Sequence, residues 1–325
     1  MAYETTPQLK QQSALGAGLS VLPEQKEPFR KIWKHHKILY FLLIPAILYL
    51  IFMRIYPFWG IGLAFVDFSP VKGLSGSEFV GLKHFQEVFR RPEILNLIRN
   101  TLIISLGKIF LGEITGLAFA LLLNEVKFPP YRRLAQTVTT IPHFFSWIIV
   151  GAIIISLMGS KGIVNQAIFS LGLEKIRFIG DKAIFPFTLI FSDTWKEFGW
   201  SAVIYLAALT QISPEWLEAA AVDGAGRIAR LWYIILPSIL PIFIFMIALG
   251  MGSVLDAGFD QVVVLYNPAV YSTGDILDTY IYRVGMINFK YEIATVVGVI
   301  KALVGYAAIM AANWASGKIA HYRIF

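Results

Sequence analysis

Apolar runs of membrane-spanning length recur along the chain, each bounded by charged or turn-forming residues. A transmembrane helix needs ~20 mainly apolar residues. The pattern therefore predicts six spans, at 38–66, 97–123, 134–158, 185–209, 231–255 and 291–314. The first run is overlong and contains Pro45, Arg54 and Pro57. Its helix is expected to end near Tyr56 and continue as an interfacial turn. No strand-like alternation or internal repeat stands out. The expected fold is an all-α membrane bundle of about six transmembrane helices, with a tail at 1–37 and a transmembrane domain at 38–325. Gly107, Gly112 and Gly116 in the second span suit close helix packing.

Composition narrows the class. Hydrophobic residues make up 57% and charged residues 15% of the chain, too little charge to cover a soluble protein of this length. The absence of cysteine excludes disulfides, thiolate zinc sites and cysteine nucleophiles. Much of the net charge of +7 lies beside apolar runs, where it sets orientation and does not signal nucleic acid. Residues 1–36 are polar and mixed, without the ~7–15-residue apolar stretch of a signal peptide, and read as a cytosolic tail. Within it, 29–37 is basic and aromatic, which suits either the inner membrane surface and its lipids or a plain orienting flank.

The basic flank before the first span places the N-terminus in the cytosol. Six spans then put the loop at 124–133 (Lys127, Arg132, Arg133), the loop carrying Arg227 and Arg230, and the C-terminal tail with Lys318 and Arg323 on the same side. The loops assigned outside also carry lysine and arginine, so charge bias alone decides little.

The loop between the fourth and fifth spans carries a helix of its own. Ser213 is a good N-cap, Pro214 fits the first helical position, and Glu215 lies near the positive end of the helix dipole. Leu217, Ala220, Ala221 and Gly224 follow at helical spacing and form a small-residue face. Gly224 and Gly226 then end the helix. Read locally, this is a capped surface helix joining two spans. The full spacing is Glu218-Ala219-Ala220, three residues, Gly224, nine residues, then Ile234-x-Leu236-Pro237. It resembles the EAA signature of permease subunits in ABC importers, and the likeness extends over about 39–314. In that family the loop is a coupling helix, here at 214–226, seated in a groove of a separate ATPase. The resemblance implies coupling residues Glu218, Ala219, Ala220, Asp223 and Gly224. Glu218 would touch the ATPase, the two alanines would allow close docking, and Gly224 would allow the bend. It also makes the loop cytosolic, in agreement with the charge argument.

Ionisable side chains inside spans are costly and mark interior or water-lined positions. The second span carries Lys108 and Glu113, the last Glu292 and Lys301, and the end of the fifth Asp256 and Asp260. In the fourth, Asp193, Lys196, Glu197 and Trp200 fall on one helical face. Carboxylates, an ammonium and an indole suit a carbohydrate, whose hydroxyls need donors and acceptors and whose C–H face packs on aromatic rings. An internal salt bridge at a polar helix end fits the same residues. The likeness to maltose-type permeases implies a pathway lined by Lys196, Glu197 and Trp200, following Thr194-Trp195, and by Gly250, Ser253 and Asp256 on the fifth span; Asp193 joins them by helical spacing. The Lys196-Glu197 pair departs from the maltose pattern and argues against maltose as cargo.

The stretches Phe68-Ser69-Pro70 to Val80-Gly81-Leu82 and Phe259-Asp260-Gln261 to Arg283 are similar to outer loops of the polysaccharide-type branch, which includes the alginate importer. They read as connectors or as a docking surface for a binding protein. There is no G-x-x-x-x-G-K-[ST], so ATP and Mg would be held by another chain. His35, His36, His84, His143 and His321 lack metal-ligand spacing apart from the adjacent pair, no nucleophile constellation appears, and His143 beside Pro142 is expected to be hydrogen-bonded in the bundle.

The expectation is a permease subunit of an ATP-driven oligosaccharide importer in a bacterial cytoplasmic membrane, with an alginate-like acidic cargo implied by resemblance alone. It implies a second homologous permease, two ATPase subunits and an extracytoplasmic solute-binding protein. A membrane-embedded glycan-processing enzyme using an acid/base carboxylate pair, or an ion-coupled sugar transporter, are the alternatives.

Overall fold

The computed structural model describes residues 29–319; the expectations for 1–28 and for Arg323 and His321 lie outside the described residues, whereas 29–37 of the expected tail is helical and continuous with the first span. Contacts divide the chain into two units, Met1–Trp59 and Gly60–Phe325.

In the first unit, α1 (Phe29–Leu50) passes into a π turn, Ile51–Ile55. Its apolar side chains from Ile38 onward are exposed, as expected of a helix whose solvent is lipid. The helix gives way to tighter turns at Tyr56, where the prolines predict its end. Tyr56 N–H reaches back to Ile51 C=O, and 3-10 turns continue through Phe65. The widened turn just before Pro57 accommodates a residue that has no N–H to donate.

The second unit opens with a two-residue hairpin, β1 (Val66–Asp67) against β2 (Glu78–Phe79), a minor exception to the all-helical expectation. Then follow α2 (Lys83–Arg90), α3 (Glu93–Asn124), α4 (Pro129–Thr140), α5 (Trp147–Met158), α6 (Ile163–Ser170), α7 (Phe185–Leu209), α8 (Pro214–Val222), α9 (Arg227–Arg230), α10 (Leu236–Met251), α11 (Phe259–Leu265), α12 (Leu277–Tyr282) and α13 (Tyr291–Ile319). Among the described residues, five helical stretches are long and apolar enough to cross a membrane: Lys37–Phe65, Glu93–Asn124, Trp147–Ser170, Arg227–Met251 and Tyr291–Ala311. The 25-residue α7 has the length, but Asp193, Lys196 and Glu197 make it too polar for that set. It coincides with the predicted fourth span.

The third span is corrected. The predicted helix at 134–158 is broken: α4 ends at Thr140, 3-10 turns run over Ile141–Phe144, and α5 begins after Ser146, whose hydroxyl accepts from Ile149 N–H. Pro142 cannot donate to the turn before it, and Ser146 offers a new cap. The break follows a close approach of α4 to α7. A Cβ on Gly199 would stand 2.2 Å from Thr139 C=O.

α3 and α7 pack along much of their length. A Cβ at Gly116 would stand 2.7 Å from Ser201 Cβ, and one at Gly107 would meet Ile190 at 2.4 Å. Close approach of this kind is what small residues permit between membrane helices. Gly112 has nothing within 4 Å, so it serves space and not packing.

The stretch Phe259–Arg283 is partly buried. Gln261, Val262, Val270, Ile276, Leu277 and Thr279 are all buried. Its polar groups are satisfied internally. Gln261 Nε2 donates to Leu189 C=O and Ser192 Oγ, each at 2.8 Å. Asn100 Nδ2 donates to Ser272 and Asp275 C=O, and Leu277 N–H donates to Thr101 Oγ1 at 3.0 Å. Arg283 makes two bonds to the Asp275 carboxylate. Burial opposes the Arg283 charge, but those bonds outweigh it and hold the guanidinium above its ordinary range. Part of this connector therefore belongs to the core.

A candidate polar groove and coupling helix

Three elements line a groove of about 290 Å³. α3 contributes Ser105, Lys108, Gly112 and Glu113, one face at helical spacing. α7 contributes Asp193, Glu197 and Ser201, each four residues apart. The end of α10 and the turn after it contribute Gly250, Ser253, Asp256 and Gly258. Five of the seven predicted pathway residues meet here: Asp193, Glu197, Gly250, Ser253 and Asp256. A hollow of about 660 Å³ along α1 is almost wholly apolar, so it offers no comparable chemistry.

Lys196 and Trp200 lie off the groove. The Lys196 ammonium is buried, donating to His143 C=O at 2.8 Å and Glu197 Oε1 at 2.7 Å, and sits 5.4 Å from the Trp147 ring centroid. Trp200 stacks on the His143 imidazole, centroids 4.4 Å apart and rings within 2° of parallel. His143 Nδ1 lies 2.5 Å from Glu197 Oε2. The helical face predicted from spacing is thus split. Asp193 and Glu197 turn to the groove, while Lys196 and Trp200 tie α7 to the broken third span. His143 is hydrogen-bonded, as expected.

Sequence reasoning marked Lys108 and Glu113 as costly but left them out of the pathway. Lys108, 9% exposed, donates to Ala257 C=O and Gln261 Oε1 and lies 3.5 Å from Asp193 Oδ1. Two hydrogen bonds and one ion pair thus hold its ammonium. It fastens the turn at 253–258 to α3 and α7. Gly258 is left-handed there, and a Cβ on it would stand 2.7 Å from Lys108 Nζ. Glu113 accepts from the buried Tyr205 hydroxyl at 2.5 Å. The recurrence of Ser105, Lys108, Gly112 and Glu113 at one helical face was the available signal.

At the other end of α7, α8 begins as its sequence predicts. Ser213 Oγ accepts from Glu215 N–H at 3.3 Å, and Pro214 takes the first position. It ends earlier than 226, at Val222. Ala225 N–H bonds Ala220 C=O at 2.8 Å and Gly224 N–H bonds Ala221 C=O, with Gly224 at φ +81°. This pair of bonds around a left-handed glycine is the Schellman stop. Leu217 and Ala220 turn partly inward, Leu217 against the core that Tyr205 and Ile235 share. Trp216, Glu218, Ala219, Val222 and Asp223 face outward, Val222 at 88% exposure. Ala220 therefore belongs partly to the chain's own packing.

A multi-span chain with an internal polar groove, and a rigid, capped helix left exposed between two spans, is built as a membrane transport subunit. The chain belongs to the family described as binding-protein-dependent transport system inner membrane component, whose model matches residues 112–316. It is 38% identical over 323 residues to Protein LplB of Bacillus subtilis (strain 168), covering 99% of this chain and 100% of that protein. It is 38% identical over 290 residues to the polygalacturonan/rhamnogalacturonan transport system permease protein YteP of the same organism, covering 89% and 90%. Among solved structures, it is similar to a chain of a bacterial alginate ABC transporter in complex with alginate pentasaccharide-bound periplasmic protein, with TM-score 0.81, 32% identity, and 90% of this chain and 99% of that chain covered. The resemblance read from the EAA spacing is borne out. The protein is a multi-pass inner-membrane permease component of an ABC transporter, and a transport subunit, not an enzyme.

Proposed function

We propose that this chain forms one half of an oligosaccharide translocation pathway, with the groove between α3, α7 and the α10 turn as its contribution. A second, homologous permease supplies the other half. Two ATPase subunits hold ATP and Mg, and an extracytoplasmic binding protein delivers the cargo. Both termini lie in the cytosol, on the side of α8. The observation that carries the reading is α8 itself. A helix fixed by an N-cap and a Schellman stop, with Trp216, Glu218, Ala219 and Val222 exposed beside a charged Asp223, is a rigid lever with one free face. Lever motion on ATPase closure passes directly into α7 and, through α9, into α10, whose inner surfaces line the groove. The equilibrium between inward- and outward-facing forms is then biased by a ligand bound to another chain.

The groove's hydroxyls and carboxylates match the donors and acceptors of a glycan. The cargo class is supported by the relatives, one named for polygalacturonan and rhamnogalacturonan and another crystallised with an alginate oligosaccharide. Acidic oligosaccharides are therefore the first cargo to test. The assay is uptake into proteoliposomes holding the permease pair and ATPases, supplied with binding protein and a panel of neutral and uronate oligosaccharides. Uptake is expected to require ATP inside and to survive ionophores. Uptake without ATP that collapses with an ion gradient would overturn the proposal in favour of a secondary transporter, and glycan cleavage would favour an enzyme.

A further inference from the structure

The polar groove between α3, α7 and the α10 turn is lined by four carboxylates, Glu113, Asp193, Glu197 and Asp256, and by one cation, Lys108. That cation is already committed. Lys108 is held by Ala257 C=O, Gln261 Oε1 and Asp193. Behind the wall, the buried Lys196 is held by His143 C=O and by Glu197 Oε1, while Glu197 Oε2 meets His143 Nδ1. Two of the four carboxylates are thus matched by lysines. The other two are not: among the described residues, neither Glu113 nor Asp256 has an ion-pair partner. Glu113 accepts from the Tyr205 hydroxyl through Oε2, which leaves Oε1 open. Asp256 is exposed, and its Oδ1 takes only a long 3.4 Å bond from Gly258 N–H. Gly112, one residue before Glu113, leaves open space beside it, with nothing within 4 Å of where a Cβ would stand.

Ionisable groups left unpaired on membrane helices mark a water-lined wall with a function. Open carboxylate oxygens accept from hydroxyls and repel other anions, and the repulsion is stronger where the dielectric is low. We propose that Glu113 and Asp256 are charge-selecting residues. They make this wall take the hydroxyl edge of a passing oligosaccharide and turn any cargo carboxylates towards the opposite half of the pathway. The inference rests on the groove being the cargo path, and it assigns which edge of an acidic glycan this chain reads. Asp193 and Glu197 contribute indirectly, by holding the two ammonium groups that a uronate would otherwise meet.

The test compares one uronate oligosaccharide with its carboxyl-reduced form, of the same linkage and length but without charge. Each is supplied on saturated binding protein to the complete transporter in proteoliposomes. The readout is the ratio of acidic to reduced uptake, which a loss of folded protein does not move. In Asp256→Asn the ratio is expected to rise at least ~3-fold over the wild type, and in Glu113→Gln/Asp256→Asn to ~10-fold, because each amide keeps the size and an acceptor but removes a repelling charge. Asp256→Glu, which keeps the charge, is expected to hold the wild-type ratio. A ratio unmoved in both amide variants would overturn the proposal. So would a ratio that falls, which would mean that the carboxylates attract acidic cargo through a bridging cation. A wild-type transporter that takes up neither form with ATP would overturn the transport reading itself, a result distinct from ATP-driven uptake with an unmoved ratio.

Discussion

Lys108→Met is the most informative single perturbation of the groove. It removes a buried ammonium bonded to Ala257 C=O and Gln261 Oε1 and paired with Asp193 at 3.5 Å. Breaking a buried pair by deleting one partner costs about 3–5 kcal/mol, because the other charge stays buried and uncompensated. In membrane bundles single polar contacts are worth less, about 0.6 kcal/mol on average, so the lower end of that range, about 3 kcal/mol, is expected. Thermal unfolding followed by tryptophan fluorescence in detergent should show a fall of about 4–5 °C, at roughly 1.5 °C per kcal/mol for a chain of 325 residues. The double variant Lys108→Met/Asp193→Asn should recover much of the loss, since it leaves no lone carboxylate. A cycle coupling of at least about 1.5 kcal/mol is expected. A single variant as stable as the wild type, or a double variant no better than the single, would refute the assignment of Lys108 as the fastener of the 253–258 turn.

Other expectations follow from local geometry. Gly224→Val forces a β-branched residue into the left-handed region at φ +81°, costing about 1–2 kcal/mol, and should raise hydrogen exchange across Pro214–Val222 while leaving α3 and α7 protected. Ser213→Ala removes the N-cap, with about 1 kcal/mol of local destabilisation and faster exchange at the first turn of α8. Gly199→Val drives a side chain into the Thr139 carbonyl; an overpacking cost of about 1–3 kcal/mol or more should appear as a lower melting temperature. Because the chain has no cysteine, Ser253→Cys and Ser201→Cys are clean probes. Their labelling by an impermeant thiol reagent should change with ATP and loaded binding protein, and a constant rate would separate the groove from the transport cycle.

Much of this architecture is legible in the apolar pattern, because lipid imposes length and apolarity on any span. The fourth span was read to the residue, and α8 from its cap, proline and glycine. The third span was not, because Pro142 lies inside a run apolar enough to mask a break that Ser146 re-caps. The segment 259–287 reads as a loop because its Gln261, Asn267, Asp275 and Thr279 look like surface residues. Gln261 is buried because it bonds Leu189 and Ser192 on distant α7, and Asp275 and Thr279 because they bond each other, with Arg283 on Asp275, within the segment, while half-buried Asn267 donates to Ile179 C=O. The groove was half legible: Asp193 and Glu197 follow from periodicity, whereas the inward turn of Lys196 depends on His143 C=O, contributed by the break itself.

On the proposed mechanism, α8 transmits ATP hydrolysis on another chain to the groove in this one. The direct measurement is Glu218→Ala in the reconstituted transporter, with ATP hydrolysis and oligosaccharide uptake followed together. Glu218 is exposed and outside the core, so the variant should assemble and melt like the wild type. Uptake is expected to fall at least ~10-fold, and hydrolysis should lose its response to cargo-loaded binding protein. Uptake and stimulated hydrolysis both at wild-type rates would contradict the claim.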